Sequence, residues 1–503
     1  MSTPKLPSGP VGYAWLRDTL QAPFFLGSRE ARVAGVSALE KTAEGGLLVP
    51  ARMAPGPSLL EHLLFALKHE GVDLFLLSLA LERLPAAELE AAFARTPNGT
   101  YVRMACDLWE RLSGQRLSQG GATITAPYQP LFDPAGYLTG ESRRNPRWRI
   151  DFNGIGDVDF CPVIRRTSQL QALLQEDVLG QAAEFARNHT GEMLDRALNW
   201  AYLSETEGSF AIEGEVPTQG KAAAFAHLLK HASDPRKLTE EGLCALQNIA
   251  ITNPLDLAVS FRNDQNRLQR GRGAAGVRYV PPRPELVDGL MAGLMRLANQ
   301  RPRNLPPLVH AAAVSFGFVF IHPFMDGNGR LSRFLIHHCL GQSGALPSVF
   351  VLPVSMSMKR HEKEYLDALN SFSKPARELC QVMWISGDDF TYDWLPGSDH
   401  AFRFMDLTEC TVFTLRMAKA ALEEDLQRET QWLADFDQVF DMIKRDHDIR
   451  DQDLSSLILF AFDNQGVLSR NRRKQYGERV PQDTLDAIEQ QALERLRLRA
   501  NGR

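Results

Sequence analysis

The stretch His322-Pro323-Phe324-Met325-Asp326-Gly327-Asn328-Gly329-Arg330-Leu331-Ser332-Arg333 concentrates more chemistry than any other segment of its length in the chain. Pro323 cannot extend the apolar helical pattern that runs from Ala311 to Ile321, so His322 is left at the lip of a turn. Gly327, Asn328 and Gly329 tolerate positive φ, which lets successive backbone N–H groups converge into an anion-binding nest. A helix starting there adds its dipole to the attraction. Arg330 and Arg333 lie three apart, so both guanidinium groups project from one helix face toward the same anion. A polyphosphate is the natural guest. Asp326 beside the nest suits a hard divalent cation such as Mg²⁺, which takes one or two carboxylates plus phosphate oxygens. His322 supplies a group titrating near neutrality that can accept a proton from an attacking hydroxyl.

Taken whole, the segment matches the Fic family signature HPFx(D/E)GNGRxxR at every specified position, and the chain resembles that family over residues 186–395. The resemblance implies a mainly α fold, a helical bundle core with a small β-hairpin flap. It also implies a nucleotidyltransferase that moves AMP from ATP to a tyrosine, threonine or serine hydroxyl of a target protein, releasing pyrophosphate. In that scheme His322 is the general base and Asp326 holds Mg²⁺. Asn328 with the Gly327 and Gly329 amides forms the hole for the α-phosphate, Arg330 meets the β-phosphate and Arg333 the γ-phosphate. Phe324 anchors the loop. Upstream, Ser209-Phe210-Ala211-Ile212-Glu213-Gly214 fits (S/T)xxxE(G/N), which resembles the family's inhibitory helix motif. Glu213 is then expected to reach Arg333 and occupy the place of the γ-phosphate, with Ser209 and Gly214 framing it.

By the same resemblance the insert 261–282 is the flap that holds a target segment in extended form, with Val277, Arg278, Tyr279 and Val280 as the pairing edge. Tyr365 and Leu366 are expected against the adenine. Three alternatives stay open: removal of AMP by the same site with Glu213 essential, a catalytically silent binding or regulatory module, and another donor such as UMP or phosphocholine. Target protein, self-modification and assembly into a homo-oligomer are left unassigned.

Around this core, Leu-, Ala- and Glu-rich periodicity from Ser58 to Gly114 predicts a helical amino-terminal domain over residues 1–120. Residues 121–185 are dense in Pro, Gly and Thr and read as a linker, with a β-hairpin signal at Asn153-Gly154. Helical periodicity resumes near Ser168 and places Met193, Leu194, Ala197, Leu198, Ala201 and Tyr202 on one face before SETEG breaks it. A second, shorter helix is expected to begin at Ser209 as its cap. Residues 396–503 predict a helical carboxy-terminal extension.

The 503 residues are 44% hydrophobic and 23% charged with a formal charge of −5, which excludes a mostly disordered chain and a global attraction to nucleic acid. A local site at Arg470, Arg472, Arg473 and Lys474 competes with a plain solvated face. Six cysteines without paired spacing point to a reducing, cytoplasmic setting rather than disulfides or zinc. The first residues lack the order of a signal peptide, and no apolar run is long enough to cross a membrane. Gly271 to Gly276 spells GxGxxG but lacks a strand-turn-helix frame, so it reads as a flap tip. His337, His338 and Cys339 point to different helix faces and gather no ligand set.

Overall fold

The computed structural model describes residues 9–22, 30–43, 45–120, 124–189 and 191–501. Residues 1–8, read above for a signal peptide, and 121–123 of the Pro- and Gly-rich stretch lie outside the described residues. The fold is mainly α. At its centre the helix Pro307–Ile321 is buried on every side, as an all-round apolar sequence requires. It packs against the helices Pro284–Asn299, Asn328–Ser343 and Thr408–Ala420. Proline stands in the first turn of both Pro284–Asn299 and Pro307–Ile321, where its missing N–H costs nothing.

One hydrophobic cluster runs from Tyr13 to Leu433. It joins the amino-terminal helices Leu59–His69, Leu74–Arg83, Ala86–Arg95 and Thr100–Ser113 to the central bundle. The last helices, Gln427–Asp446, Asp451–Asp463 and Gln482–Asn501, enclose a smaller cluster of their own. All six cysteines are buried and unpaired by disulfides. Among the described residues no helix is long and apolar enough to cross a membrane.

Several expectations are corrected. The amino-terminal region is not helical throughout, because Pro10–Val11, Ala31–Ala34, Leu47–Pro50 and Glu40–Lys41 form a four-stranded sheet in that order. Ala31–Ala34 and Leu47–Pro50 pair in parallel, and strands this short are hard to tell from loops by periodicity. Residues 124–185, expected as a linker, are packed: Trp148, Phe152 and Phe160 are buried in the main cluster, and the Trp148 indole N–H donates to Glu110 at 2.8 Å. Its hairpin pairs Arg143–Asn145 with Ile150–Phe152 and turns through residues 146–149, where Arg149 takes φ of 50°. Asn153 comes after the turn and exchanges two hydrogen bonds with the Phe132 backbone at 2.9 and 2.8 Å.

The helix expected to break at SETEG is continuous from Glu192 to Ile212. Ser, Thr and Gly are poor helix formers, but packing overrides them here. Glu205 is buried and accepts from the Ser355 N–H at 2.7 Å and pairs with His337 Nε2 at 2.8 Å. Thr206 donates back to the Tyr202 carbonyl at 2.8 Å. Gly208 has no room for a side chain, since a Cβ there would sit 2.6 Å from the Met356 nitrogen. Ser209 therefore lies in the last turn of a helix rather than capping a new one, and Glu213 is the C-cap.

In the carboxy-terminal region the basic run is largely spent internally. Arg473 is held by Asp486 and Glu489 at 2.7 and 2.6 Å, and Arg472 lies 3.7 Å over the Phe460 ring. Arg470 and Lys474 remain exposed.

Candidate active site

The central helix ends at Ile321, and His322 follows in a left-handed conformation with φ of 55°. Its N–H still reaches the Phe318 carbonyl at 2.9 Å, which turns the chain sharply into the loop. The imidazole Nδ1 lies 3.1 Å from the Val319 carbonyl, so Nδ1 carries the proton and Nε2 keeps a free lone pair. Burial drives the His322 pKa down to about 4, with Arg262 adding to the fall against the opposing pull of Val319, Glu213 and Asp326. The ring is a neutral base at pH 7.

The loop is shaped by side chains from elsewhere in the chain. Buried Arg262 donates from Nε to the His322 carbonyl at 2.8 Å and from Nη2 to the Pro282 carbonyl at 2.6 Å, while its own N–H holds the Pro323 carbonyl at 2.8 Å. Burial lowers its pKa to about 10. Asn266 donates to the Phe324 and Met325 carbonyls at 3.3 and 3.0 Å, and Gln247 to that of Asp326 at 3.2 Å. None of these three was singled out by sequence. Replacing Arg262 with Met strands several buried carbonyls at about 1–3 kcal/mol each. The expected outcome is a loss of about 3 kcal/mol or more, read as a fall in the urea midpoint, together with a misplaced His322.

Asn328 begins the helix Asn328–Ser343 after Gly327, which takes φ of 85°. Its side chain is buried and clamps the loop, accepting from the Phe324 N–H at 3.0 Å and donating to the Phe324 carbonyl at 2.8 Å. That geometry makes Asn328 a positioning residue; its side chain is not aimed at a guest. Asp326 takes the Gly327 N–H at 2.6 Å and stays partly open to solvent. One half-exposed hard carboxylate fits Mg²⁺, which retains most of its waters and completes its shell with phosphate oxygens.

Both motif arginines are buried and engaged by carboxylates from the chain just past the Glu192–Ile212 helix. Arg333 donates from Nε to Ser209 Oγ at 3.0 Å and from Nη2 to the Ser209 carbonyl at 2.7 Å and to Glu213 at 2.9 Å. Glu213 lies over Gly329 so closely that a Cβ there would collide with its Oε1. It thus stands at the positive end of the motif helix, where an anion binds. Burial raises the Glu213 pKa, but Arg333 outweighs that and holds the carboxyl below its usual range. Arg330 meets Glu215 at 2.7 Å and Asp326 at 3.3 Å, beneath the Phe210 ring. Glu215 also accepts from Thr252 Oγ1 at 3.0 Å. Sequence reading missed Glu215. The carboxylate two residues beyond Glu213 was its only signal.

Two buried donors, Arg330 Nε and Arg333 Nη1, meet no acceptor among the described residues. Tyr365 is buried beside Arg333. Leu366 is not in the site, because the next residue of a helix points about 100° away, and it is exposed. Gly214 follows the C-cap with φ of 74°.

The flap is a hairpin of Leu268–Gln269 and Val277–Tyr279, with Gly271 to Gly276 at its tip. Val277, Tyr279 and Val280 are buried, and the Tyr279 hydroxyl donates to the Phe320 carbonyl at 2.5 Å. Only Arg278 of the four faces solvent. Among the described residues each of these two strands pairs only with the other.

A family model described as the Fic/DOC family matches residues 237–340. These residues form a Fic/DOC family domain. A protein adenylyltransferase Fic of Nematostella vectensis is 35% identical over 198 residues, 35% of this chain and 45% of that protein. One from Aedes aegypti is 35% identical over 92 residues, 18% of this chain and 17% of that protein. The chain therefore spans less than half the length of either. A solved Fic family protein from Desulfovibrio desulfuricans G20 aligns at 19% identity with a TM-score of 0.39, over 62% of this chain and 84% of that one. The whole HPFMDGNGRLSR segment, with His322, Asp326 and both arginines, lies inside the Fic domain; Ser209, Glu213 and Glu215 lie upstream of the matched residues.

Proposed function

We infer that the chain is a protein adenylyltransferase that transfers AMP from ATP to a hydroxyl side chain of a target protein and is restrained by its own carboxylates. The observation that carries this reading is the neutral His322, its Nδ1 turned to the Val319 carbonyl, on the same loop and helix as two buried arginines that already hold anionic carboxylates. The relatives named above carry that activity in their names.

In the proposed reaction the target oxygen attacks the α-phosphorus, the bond to pyrophosphate breaks, and the hydroxyl proton passes to His322 Nε2. Arg330 and Arg333 grip the outgoing phosphates, and the backbone N–H groups that open the motif helix face the α-phosphate. Asp326 would hold Mg²⁺, which neutralises phosphate charge when bound. Glu213 on Arg333 and Glu215 on Arg330 compete for the groups that would otherwise hold phosphate. Ordering by Asn328, Arg262 and Asn266 keeps the loop in one shape through the exchange. Six buried thiols suit a reducing, cytoplasmic setting.

The test is to incubate the protein with ATP labelled on the α-phosphate or, separately, on the γ-phosphate and to follow label on acid-precipitated protein. Retention of the α-label alone, with a mass gain equal to AMP, is the expected result. Retention of the γ-label would make it a kinase-type reaction and sink the proposal.

The pH dependence follows from His322. Its pKa in the free enzyme is lowered to about 4, so the neutral base is fully present above that pH and is lost as the pH falls through it. The acid limb of kcat/KM, which reports the free enzyme, is expected near pH 4. Measured in the Glu213→Gly variant, a limb near the ordinary imidazole value would show that the ring is solvated.

A further inference from the structure

The two helices that carry the catalytic segment also wall a cavity of about 260 Å³ at their other ends. His310 stands in the first turn of Pro307–Ile321, about 18 Å along the axis from His322, and His338 lies toward the end of Asn328–Ser343. Two loops, near residues 236 and 301, complete the wall. One water takes up about 30 Å³ and a drug-sized guest about 300–1,000 Å³, so the space suits a small organic molecule.

The formal charges of the wall are all of one sign. Arg236, Lys237 and Arg301 line the cavity, and among the described residues no carboxylate does. Lys237 and Arg301 form no ion pair among those residues, while Arg236 lies 3.9 Å from Asp234, a carboxylate that His231 already meets at 3.2 Å. The side-chain amides are spent on structure. Asn299 exchanges hydrogen bonds with the Leu238 backbone at 2.7 and 3.0 Å, and Gln342 donates to the Asp234 carbonyl at 2.6 Å. In a protein of formal charge −5, three cations around one recess without a facing acid draw a small anion.

The two imidazoles supply the opposite kind of group. His310, 1% exposed, directs Nε2 to the Leu297 carbonyl at 2.9 Å, so Nε2 carries the proton and Nδ1 is an acceptor that meets no donor among the described residues. His338, 5% exposed, directs Nδ1 to the Ala232 carbonyl at 3.2 Å and keeps its lone pair on Nε2. Burial pushes the His310 pKa down to about 4 against the Leu297 contact, with Arg301 and His338 adding to the fall, and burial lowers that of His338 as well. Both rings are neutral acceptors at pH 7. Neighbouring His337 turns instead to Glu205, and the described residues gather no group able to hold a metal ion. The recess thus combines cations for an anionic head with acceptors for an O–H donor.

We propose that this cavity binds a small hydroxylated phosphomonoester, its phosphate held by Arg236, Lys237 and Arg301 and its hydroxyl donating to the imidazole of His338. Three cations match a phosphate of charge near −2 better than a single carboxylate. The proposal is independent of AMP transfer and stands or falls without it. A guest in this place ties together the two helices that carry His322 and the motif arginines, from the end away from the catalytic loop.

The test is isothermal calorimetry on the full wild-type chain with four probes: glycerol 3-phosphate, methyl phosphate, glycerate and glycerol. Glycerol 3-phosphate is expected to bind about 5-fold more tightly than methyl phosphate, the worth of one hydrogen bond, and more tightly than glycerate, while glycerol gives no heat. Arg236 and Lys237 are exposed, so Arg236→Glu with Lys237→Glu should leave the circular dichroism unchanged and weaken glycerol 3-phosphate by about 10-fold. His338→Phe should erase the advantage over methyl phosphate. Should that variant not fold, the imidazole nitrogen resonances of His338 in the wild-type chain, expected to move on adding glycerol 3-phosphate, carry the same information. No heat from either phosphate would leave the cavity to solvent and overturn the proposal. Binding that survives the charge reversal would place the phosphate elsewhere, at the motif helix for example, and do the same. Glycerate binding as tightly as glycerol 3-phosphate, or His338 resonances that stay in place, would also overturn it.

Discussion

Glu213→Gly is expected to raise AMP incorporation, and adding Glu215→Ala to raise it further. Each carboxylate makes a charge-assisted contact with an arginine that the proposed reaction assigns to the phosphates, Glu213 with Arg333 at 2.9 Å and Glu215 with Arg330 at 2.7 Å. A charged hydrogen bond of this type contributes about 1.5–3 kcal/mol, so removing Glu213 is expected to increase the rate by about 10- to 100-fold. The single variant still carries Glu215 on Arg330. If both contacts restrain the same step, the pair of changes exceeds either alone, and Glu215→Ala by itself tightens ATP binding. Isothermal calorimetry with ATP and α-label incorporation together decide this. A Glu213→Gly protein with wild-type rate and wild-type ATP affinity would show that the contact with Arg333 is structural only.

The second large effect is a loss. His322→Ala removes the one group on the loop that can take the hydroxyl proton, and general-base help of this kind contributes roughly 10²- to 10⁴-fold. The hydrogen bond of the imidazole is to the Val319 carbonyl, and the motif arginines are held by other residues, so nucleotide binding is expected to persist while transfer falls. Made in the Glu213→Gly background, the variant separates the two roles cleanly. Its label incorporation should drop to a trace with the ATP dissociation constant changed less than about 2-fold, a difference near 0.4 kcal/mol. Transfer that survives would move the base elsewhere.

The legible part of the site was the part written locally. Pro323, the Gly-Asn-Gly turn and two arginines three apart state their geometry within one turn and one helix, so His322, Asp326, Arg330 and Arg333 could be placed by spacing alone. Glu213 could be placed only through the family pattern. Arg262, Asn266 and Gln247 were invisible because the carbonyls they hold lie some 60 to 80 residues further on. The expected break at SETEG failed for a related reason. Weak helix formers were judged by propensity, whereas Glu205 is fixed by Ser355 and His337, more than a hundred residues away. The short strands near the amino terminus carried too few residues for any period to emerge.

The long Glu192–Ile212 helix sets how the restraint can be lifted. Glu205 bridges it to the motif helix through His337, and Ser209 grips Arg333 from within its last turn. These groups are buried, so withdrawing the helix as a body would strand charges and open the core. The short span past Ile212, where Glu213 and Glu215 flank Gly214 at positive φ, is held only by backbone bonds to Phe210 and Ala211 and by its two carboxylates, so it could swing out without opening the core. Under the proposed restraint, unlatching would be a hinge of a few residues, on the timescale of loop motion rather than of domain rearrangement. A carboxylate on so short a tether behaves as a competitor of fixed effective concentration, which dilution of the protein cannot weaken and only rising nucleotide can outbid.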